Sequence, residues 1–211
     1  MGAPGAGKGT QARLLQEHLH LPQISTGDIF RALAREKTPL AEEVLGVQAA
    51  GKLISDDLVI RVVRERTADE DCRTGYVLDG FPRTTIQAEM LEGLALDQGM
   101  EIVAIVIDVP FEMLERRATG RRICPVCGEI YNIYSKPPAV DGVCDLHPEA
   151  KLDHRPDDQP EKIRVRLETF QQQTQPLMDY YAKSGRLHRV DGTRDKETIY
   201  QEIEKIVTGN S

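Results

Sequence analysis

The sequence predicts an α/β fold, a parallel sheet flanked by helices, and three features carry that prediction. Tyr76-Val77-Leu78-Asp79 and the run from Ile102 to Val109 are continuous apolar stretches ending in or near aspartate, the pattern of strands buried on both faces. Segments of helical character lie around them, at roughly 9–19, 28–36, 40–50 and 55–67, and strands alternating with helices give this class. A glycine-rich stretch, Gly2-Ala3-Pro4-Gly5-Ala6-Gly7-Lys8-Gly9-Thr10, opens directly into the first helix.

The remaining elements follow in order. Pro22-Gln23-Ile24-Ser25 reads as a short strand and Leu187-His188-Arg189-Val190 as a weaker last one, with a helix from Lys196. A long helix is predicted from Pro160, because proline suits a first helical turn. Between Gly120 and Asp158 the pattern changes to five prolines, three cysteines and no long helical period. That stretch reads as an insertion with its own small core.

Composition narrows the function classes. The chain of 211 residues carries 34 acidic against 27 basic side chains, a net charge of −7, which argues against a nucleic-acid partner for the chain as a whole. No apolar run approaches the roughly 18–20 residues that cross a bilayer, and the first residues have neither the basic start nor the apolar run of a signal peptide. The expectation is a cytoplasmic protein without nucleic-acid or membrane partners. Positive charge gathers at Arg116, Arg117, Arg121, Arg122, Arg155, Arg164 and Arg166, which suggests a small polyanionic ligand or, more plainly, solvated helix faces.

The glycine-rich stretch fits a phosphate loop of the P-loop NTPase kind. Its glycines let successive backbone N–H groups turn toward phosphate oxygens, Lys8 adds a cation, and the helix behind offers its positive end. Gly9 stands where that motif has a hydroxyl residue, so a magnesium ion would be held by nucleotide phosphates and water. Such a loop follows a strand, yet here it opens the sequence. Losing a central strand would remove several buried side chains at about 1.5–3 kcal/mol each, so the expectation is an upstream start or a truncated record.

Cysteine spacing points to metal. Cys124 and Cys127, then Cys144 and His147, read C-x2-C-x16-C-x2-H, two knuckles of a tetrahedral zinc site, with His154 as a competing fourth ligand. Four protein ligands leave no open position, so the zinc would be structural. Cys72 stands apart and reads as a packing residue.

Together with Ile24-Ser25-Thr26-Gly27-Asp28, Gly51-Lys52-Leu53-Ile54, Leu78 to Thr84, Gly120-Arg121-Arg122 and Arg155-Pro156-Asp157-Asp158, the loop makes the chain resemble the bacterial long-lid adenylate kinases from end to end. The resemblance implies three parts: a core of residues 1–24, 55–120 and 159–211, a helical flap for the nucleoside monophosphate at 25–54, and a zinc-bearing lid at 121–158. It implies ATP contacts at Gly5, Ala6, Gly7, Lys8, Gly9, Thr10, Arg121, Ile130, Tyr131 and Arg194. For AMP it implies Thr26, Arg31, Lys52, Leu53, Ile54, Gly80, Phe81, Pro82, Arg83, Gln87, Arg155 and Arg166, with a cis bond before Pro82. Asp79 resembles the acidic partner of magnesium-bound water, the plainer alternative being a helix cap. The implied substrates are ATP, AMP and ADP, the cofactors Mg2+ and structural Zn2+, and the state a monomer.

The chemistry suits these residues. An AMP phosphate is already anionic at neutral pH, so no base is needed; alignment and charge neutralisation are. Lys8, Arg83, Arg117, Arg121, Arg155 and Arg166 are the candidates for that work, while Arg116, Arg122 and Arg164 read as surface charge. The rival readings are a kinase for another nucleoside monophosphate, a GTP:AMP phosphotransferase, and a zinc-ribbon binding protein whose nucleotide site is regulatory.

Overall fold

In a computed structural model of the protein, residues 1–33, 42, 45–46 and 54–209 are described. Lys52, Leu53 and most of the helix expected at 40–50 lie outside the described residues. The helices are α1 (Lys8–Leu19), α2 (Thr26–Leu33), α3 (Asp56–Thr67), α4 (Thr85–Gln98), α5 (Phe111–Thr119), α6 (Pro160–Thr169), α7 (Pro176–Lys183) and α8 (Lys196–Thr208). The strands are β1 (Gln23–Ser25), β2 (Val77–Asp79), β3 (Ala104–Asp108), β4 (Arg121–Ile123), β5 (Ile130–Asn132) and β6 (Leu187–Asp191).

The class is the one the apolar runs predict, and the parallel strands stand in two pairs. β1 lies beside β2 with Ile24 opposite Leu78, and β3 beside β6 with Val106 opposite Arg189. Helices pack on both sides because neither strand face can meet water. Leu15 of α1, Leu114 of α5, Ile163 and Leu167 of α6 and Ile203 of α8 close over Ile107 and Val190. Leu177 and Tyr181 of α7 pack with Ala88 and Ala104, on a second cluster. A third holds α2, α3 and α4 together through Phe30, Val63, Phe81 and Leu94.

Local signals set the ends of these elements. Thr84 caps α4 by accepting from Gln87 N at 3.1 Å, and Asp195 caps α8 by accepting from Thr198 N at 3.0 Å. The long helix expected from Pro160 runs on to Lys183 and carries a π-helical turn within it. A π-helical turn over Phe170–Thr174 precedes Pro176; proline has no N–H to give and its ring crowds the carbonyl four residues back.

Within the insertion, β4 and β5 form an antiparallel pair with Arg122 opposite Tyr131, and Ile123 bridges to Asp153. Its core is only Cys124, Tyr131, Cys144 and Ala150, with Leu152 against them. Among the described residues no helix is long and apolar enough to cross a membrane.

Candidate nucleotide site

The loop before α1 is shaped by glycine. Gly5 and Gly7 have φ of 87° and 97°, and a Cβ on Gly5 would meet Leu114 O at 2.6 Å, so L side chains are excluded there on two counts. Lys8 Nζ donates to Gly2 O at 2.8 Å and Ala3 O at 3.0 Å, curling back over the loop. Burial pushes its pKa down to about 8, with Arg83, Arg166 and Arg121 pushing the same way and Asp79 opposing. A lysine held at that value, amid other cations, is short of negative charge.

Asp79 ends β2 beside the start of α1. Its Oδ2 accepts from Gln23 Nε2 at 3.3 Å and stands 3.3 Å from where a Cβ on Gly9 would be. The cap reading for Asp79 does not hold, since Thr84 caps the helix that follows. Gly9 therefore gives up the hydroxyl of the usual loop and leaves room for this carboxylate.

Five guanidiniums converge, four of them held by three aspartates. Arg121 grips Asp158 with Nε at 2.8 Å and Nη2 at 2.6 Å, and Arg166 Nη1 reaches the same carboxylate at 3.2 Å. Asp158 is wholly buried. Arg166 Nη1 also lies 3.0 Å from Asp157 Oδ2, and Asp157 is 3.9 Å from Arg31. Asp28 bridges Arg31 at 2.6 Å and Arg155 at 3.3 Å. Arg83 differs: its Nε donates to Gly80 O at 2.6 Å, and no carboxylate among the described residues pairs with it. Burial, then Arg166, lowers its pKa to about 10; burial, then Arg31, does the same to Arg155. Burial works against Arg121 as well, but the bonds to Asp158 outweigh it and its pKa rises. With Lys8 there are six cations facing Asp28, Asp79, Asp157 and Asp158, a surplus of two positive charges. A site built this way binds anions.

Other expected residues are placed differently. Gln87 is buried, its Oε1 accepting from Arg83 N and its Nε2 donating to Asp56, both at 2.7 Å. Thr26 Oγ1 donates to Gly80 O at 3.0 Å. The Phe81–Pro82 bond is cis. Arg117 donates to Gly192 O at 2.8 Å, apart from the aspartates that gather the other guanidiniums. Tyr131 is buried in the insertion's core, where its hydroxyl accepts from Asp145 N at 2.9 Å and lies 3.6 Å from Cys144 Sγ. Arg194 is exposed and pairs with Asp191 and Glu202. Ile54 packs against the cluster around Phe30 and Phe81. The sequence reading passed over Asp28, Asp157 and Asp158 as functional groups. The signal was present in the pair of acids following Arg155-Pro156.

Cys124, Cys127, Cys144 and His147 bring their ligand atoms within 4.8 Å of one another. Cys127 and Cys144 sulfurs are 3.8 Å apart, and Cys144 Sγ is 3.9 Å from His147 Nδ1. A tetrahedral ion with about 2.3 Å bonds to sulfur needs sulfurs about 3.8 Å apart, so the donor set fits zinc. His154 is elsewhere, 3.5 Å from Gln159 Nε2.

Comparison with known proteins agrees with this geometry. The family model described as adenylate kinase matches residues 1–186. The chain is 48% identical over 210 residues to an adenylate kinase of Exiguobacterium sibiricum, covering 99% of this chain and 97% of that one. It is 46% identical over 209 residues to an adenylate kinase of Thermotoga maritima, covering 98% and 94%. A third, of Thermodesulfovibrio yellowstonii, is 46% identical over 204 residues, covering 96% and 94%. The chain belongs to the adenylate kinase family.

Proposed function

We propose that this chain passes the terminal phosphoryl group of ATP to AMP, giving two ADP, through the residues gathered around Lys8 and Arg83. The observation that carries the reading is the surplus of two positive charges in a half-buried ring of lysine and arginine that holds no histidine among the described residues. Phosphoryl transfer between two phosphates needs that field and no base.

In this reading the loop amides from Gly5 to Thr10 and Lys8 hold the donor phosphates. Arg121 and Arg166, fixed in orientation by Asp158, stand over the group in transit. Arg31, Arg83 and Arg155 hold the AMP phosphate, and Arg83, having no carboxylate of its own, is the most available to it. Thr26, Gln87 and the backbone of Lys52, Leu53 and Ile54 line the adenine side; Gln87 keeps one amide hydrogen for a purine edge. Gly80, Phe81 and Pro82 shape the floor. Ile130 and Arg194 serve the ATP base by backbone, and Arg117, tied to Gly192, belongs to that side. Tyr131 acts through the insertion's core. Mg2+ would neutralise charge between the donor phosphates, with Asp79 placed to hold its water.

The insertion at 121–158 would act as a lid and the segment 25–54 as a flap, excluding water that would hydrolyse ATP. Cys124, Cys127, Cys144 and His147 would hold zinc in a closed, structural set. So small a core needs such a clamp. The protein would work as a cytoplasmic monomer, which sedimentation would test.

The deciding experiment is a coupled assay for ADP from ATP, AMP and Mg2+, with UMP, CMP and GMP as rival acceptors and GTP as rival donor. Preferential turnover of AMP with ATP is expected. No ADP, or preference for another acceptor, would overturn the reading.

A further inference from the structure

Helix α1 carries more than the lysine of the phosphate loop. Ala12, Leu14 and Leu15 are buried, and the two leucines sit in the main core, so this helix is fixed to the body of the protein. Arg13, between them, leaves the core at a point five residues, or about 7.5 Å along the axis, from Lys8. It reaches the insertion. Its Nη2 donates to Gly128 O, and its Nη1 lies 3.6 Å from Glu129 Oε2, both side chains half-buried.

The receiving end is shaped for that contact. Gly128 closes the first cysteine knuckle with φ of 70°, its N donating to Cys124 O at 2.9 Å, while Cys124 N donates to Glu129 O at 2.9 Å. A Cβ on Gly128 would stand 3.0 Å from Arg13 Nη2, so the guanidinium lies against a surface that glycine leaves open. Lys136, also in the insertion, binds the same Glu129 carboxylate and holds it on the insertion's side. The bonds from Asn132 Nδ2 to Arg117 O and from Ile133 N to Gly120 O, both 2.9 Å, lie at the insertion's root and do not depend on where its far end swings. The Arg13 contact does, because it ties a fixed helix to a knuckle 115 positions away.

We propose that Arg13 is the seat on which the insertion closes, a positioning residue that holds the Cys124–Gly128 knuckle against α1 and sets the balance between open and closed forms. The inference rests on reading 121–158 as a lid. Arg13 acts through that lid and not on the reacting phosphates. A charged donor on a carbonyl, with one solvent-screened ion pair beside it, shifts such a balance by about tenfold.

Energy transfer between fluorophores on unnatural residues at exposed Val140, in the insertion, and exposed Leu96, on α4, reads the distance without nucleotide. Arg13→Ala is expected to lower the closed-to-open ratio by about tenfold and Glu129→Gln by less, each with Tm within about 2 °C of the parent chain. In the coupled assay Arg13→Ala should raise KM for ATP about five- to tenfold and leave KM for AMP within about twofold, with kcat unchanged or higher, since lid opening limits turnover in many enzymes that close over their substrates. Arg13→Lys, which keeps a charged donor, should recover most of both effects. An unchanged distance distribution in Arg13→Ala, or a kcat that falls with KM unchanged, overturns the seat. If ATP does not shorten the distance in the parent chain, the lid reading fails and the proposal with it; if ATP does, and Arg13→Ala matches the parent throughout, the seat alone fails.

Discussion

Asp158→Asn is the substitution that separates the charge of the arginine ring from its shape. The carboxylate is wholly buried and accepts three bonds, at 2.8 and 2.6 Å from Arg121 and 3.2 Å from Arg166. Asparagine keeps one acceptor, now uncharged, and turns an NH2 toward a guanidinium, so at least one bond is lost and those that remain no longer join opposite charges. Charge-assisted bonds are worth about 1.5–3 kcal/mol against about 0.5–1.5 for neutral ones. A loss of about 2–4 kcal/mol follows, and at about 2–4 °C per kcal/mol for a chain of this size, Tm should fall by about 5–15 °C. The site's positive surplus meanwhile rises from two to three, so KM for either nucleotide should not increase. Arg121 loses its two-point anchor, and kcat should fall by about tenfold or more, since alignment of such a group governs the chemical step. Thermal unfolding and the coupled ADP assay read the two effects separately. A lower Tm with unchanged kcat would show that the pair only holds the fold together, and the reasoning for Arg121 would fail.

Three further outcomes follow from the same geometry. Arg83→Ala and Arg155→Ala should each cut kcat by about 10³ or more with little change in Tm, because neither leaves a buried carboxylate without a partner; near-normal turnover removes that residue from the mechanism. Arg121→Ala should lose rate and stability together, since Asp158 would keep only Arg166. The free enzyme's Lys8 sits near 8 because burial disfavours its charge; the protonated form binds phosphate, so kcat/KM for ATP should decline above about pH 8. Bound phosphate raises that pKa, so kcat should hold to higher pH, and identical profiles for the two would count against Lys8. Stripping metal with a chelator should lower Tm before it slows turnover. An unchanged melt, with no zinc in elemental analysis, would remove the metal from Cys124, Cys127, Cys144 and His147.

What the sequence disclosed depended on whether the chemistry was contiguous. The loop from Gly2 to Thr10 and the two Cys/His knuckles are local, because their spacing is their geometry, and both stand in the structure as the spacing implies. The buried runs at Val77–Asp79 and Ala104–Asp108 were legible because a strand covered on both faces has no reason to alternate. The carboxylate partners were not: Asp28 reaches Arg155 across 127 positions, and no pattern along the chain announces that pairing. The resemblance implies an ATP contact at Tyr131, and no pattern in the sequence announces that β5 turns its side chain inward onto Cys144 and Asp145. A contact from Arg13 on α1 to Gly128 O and Glu129 in the insertion also had no trace in the sequence. The long helix from Pro160 was legible, but the π-helical turn by which it accommodates Pro176 was not.

The central claim is that two nucleotides meet end to end inside one ring of cations. Calorimetry with two adenosines joined through five phosphates tests it most directly. The account predicts binding of one linked molecule per chain, far tighter than ATP or AMP alone, with both displaced from their sites. Affinity no better than that of ATP, or continued binding of AMP beside the linked molecule, would contradict it.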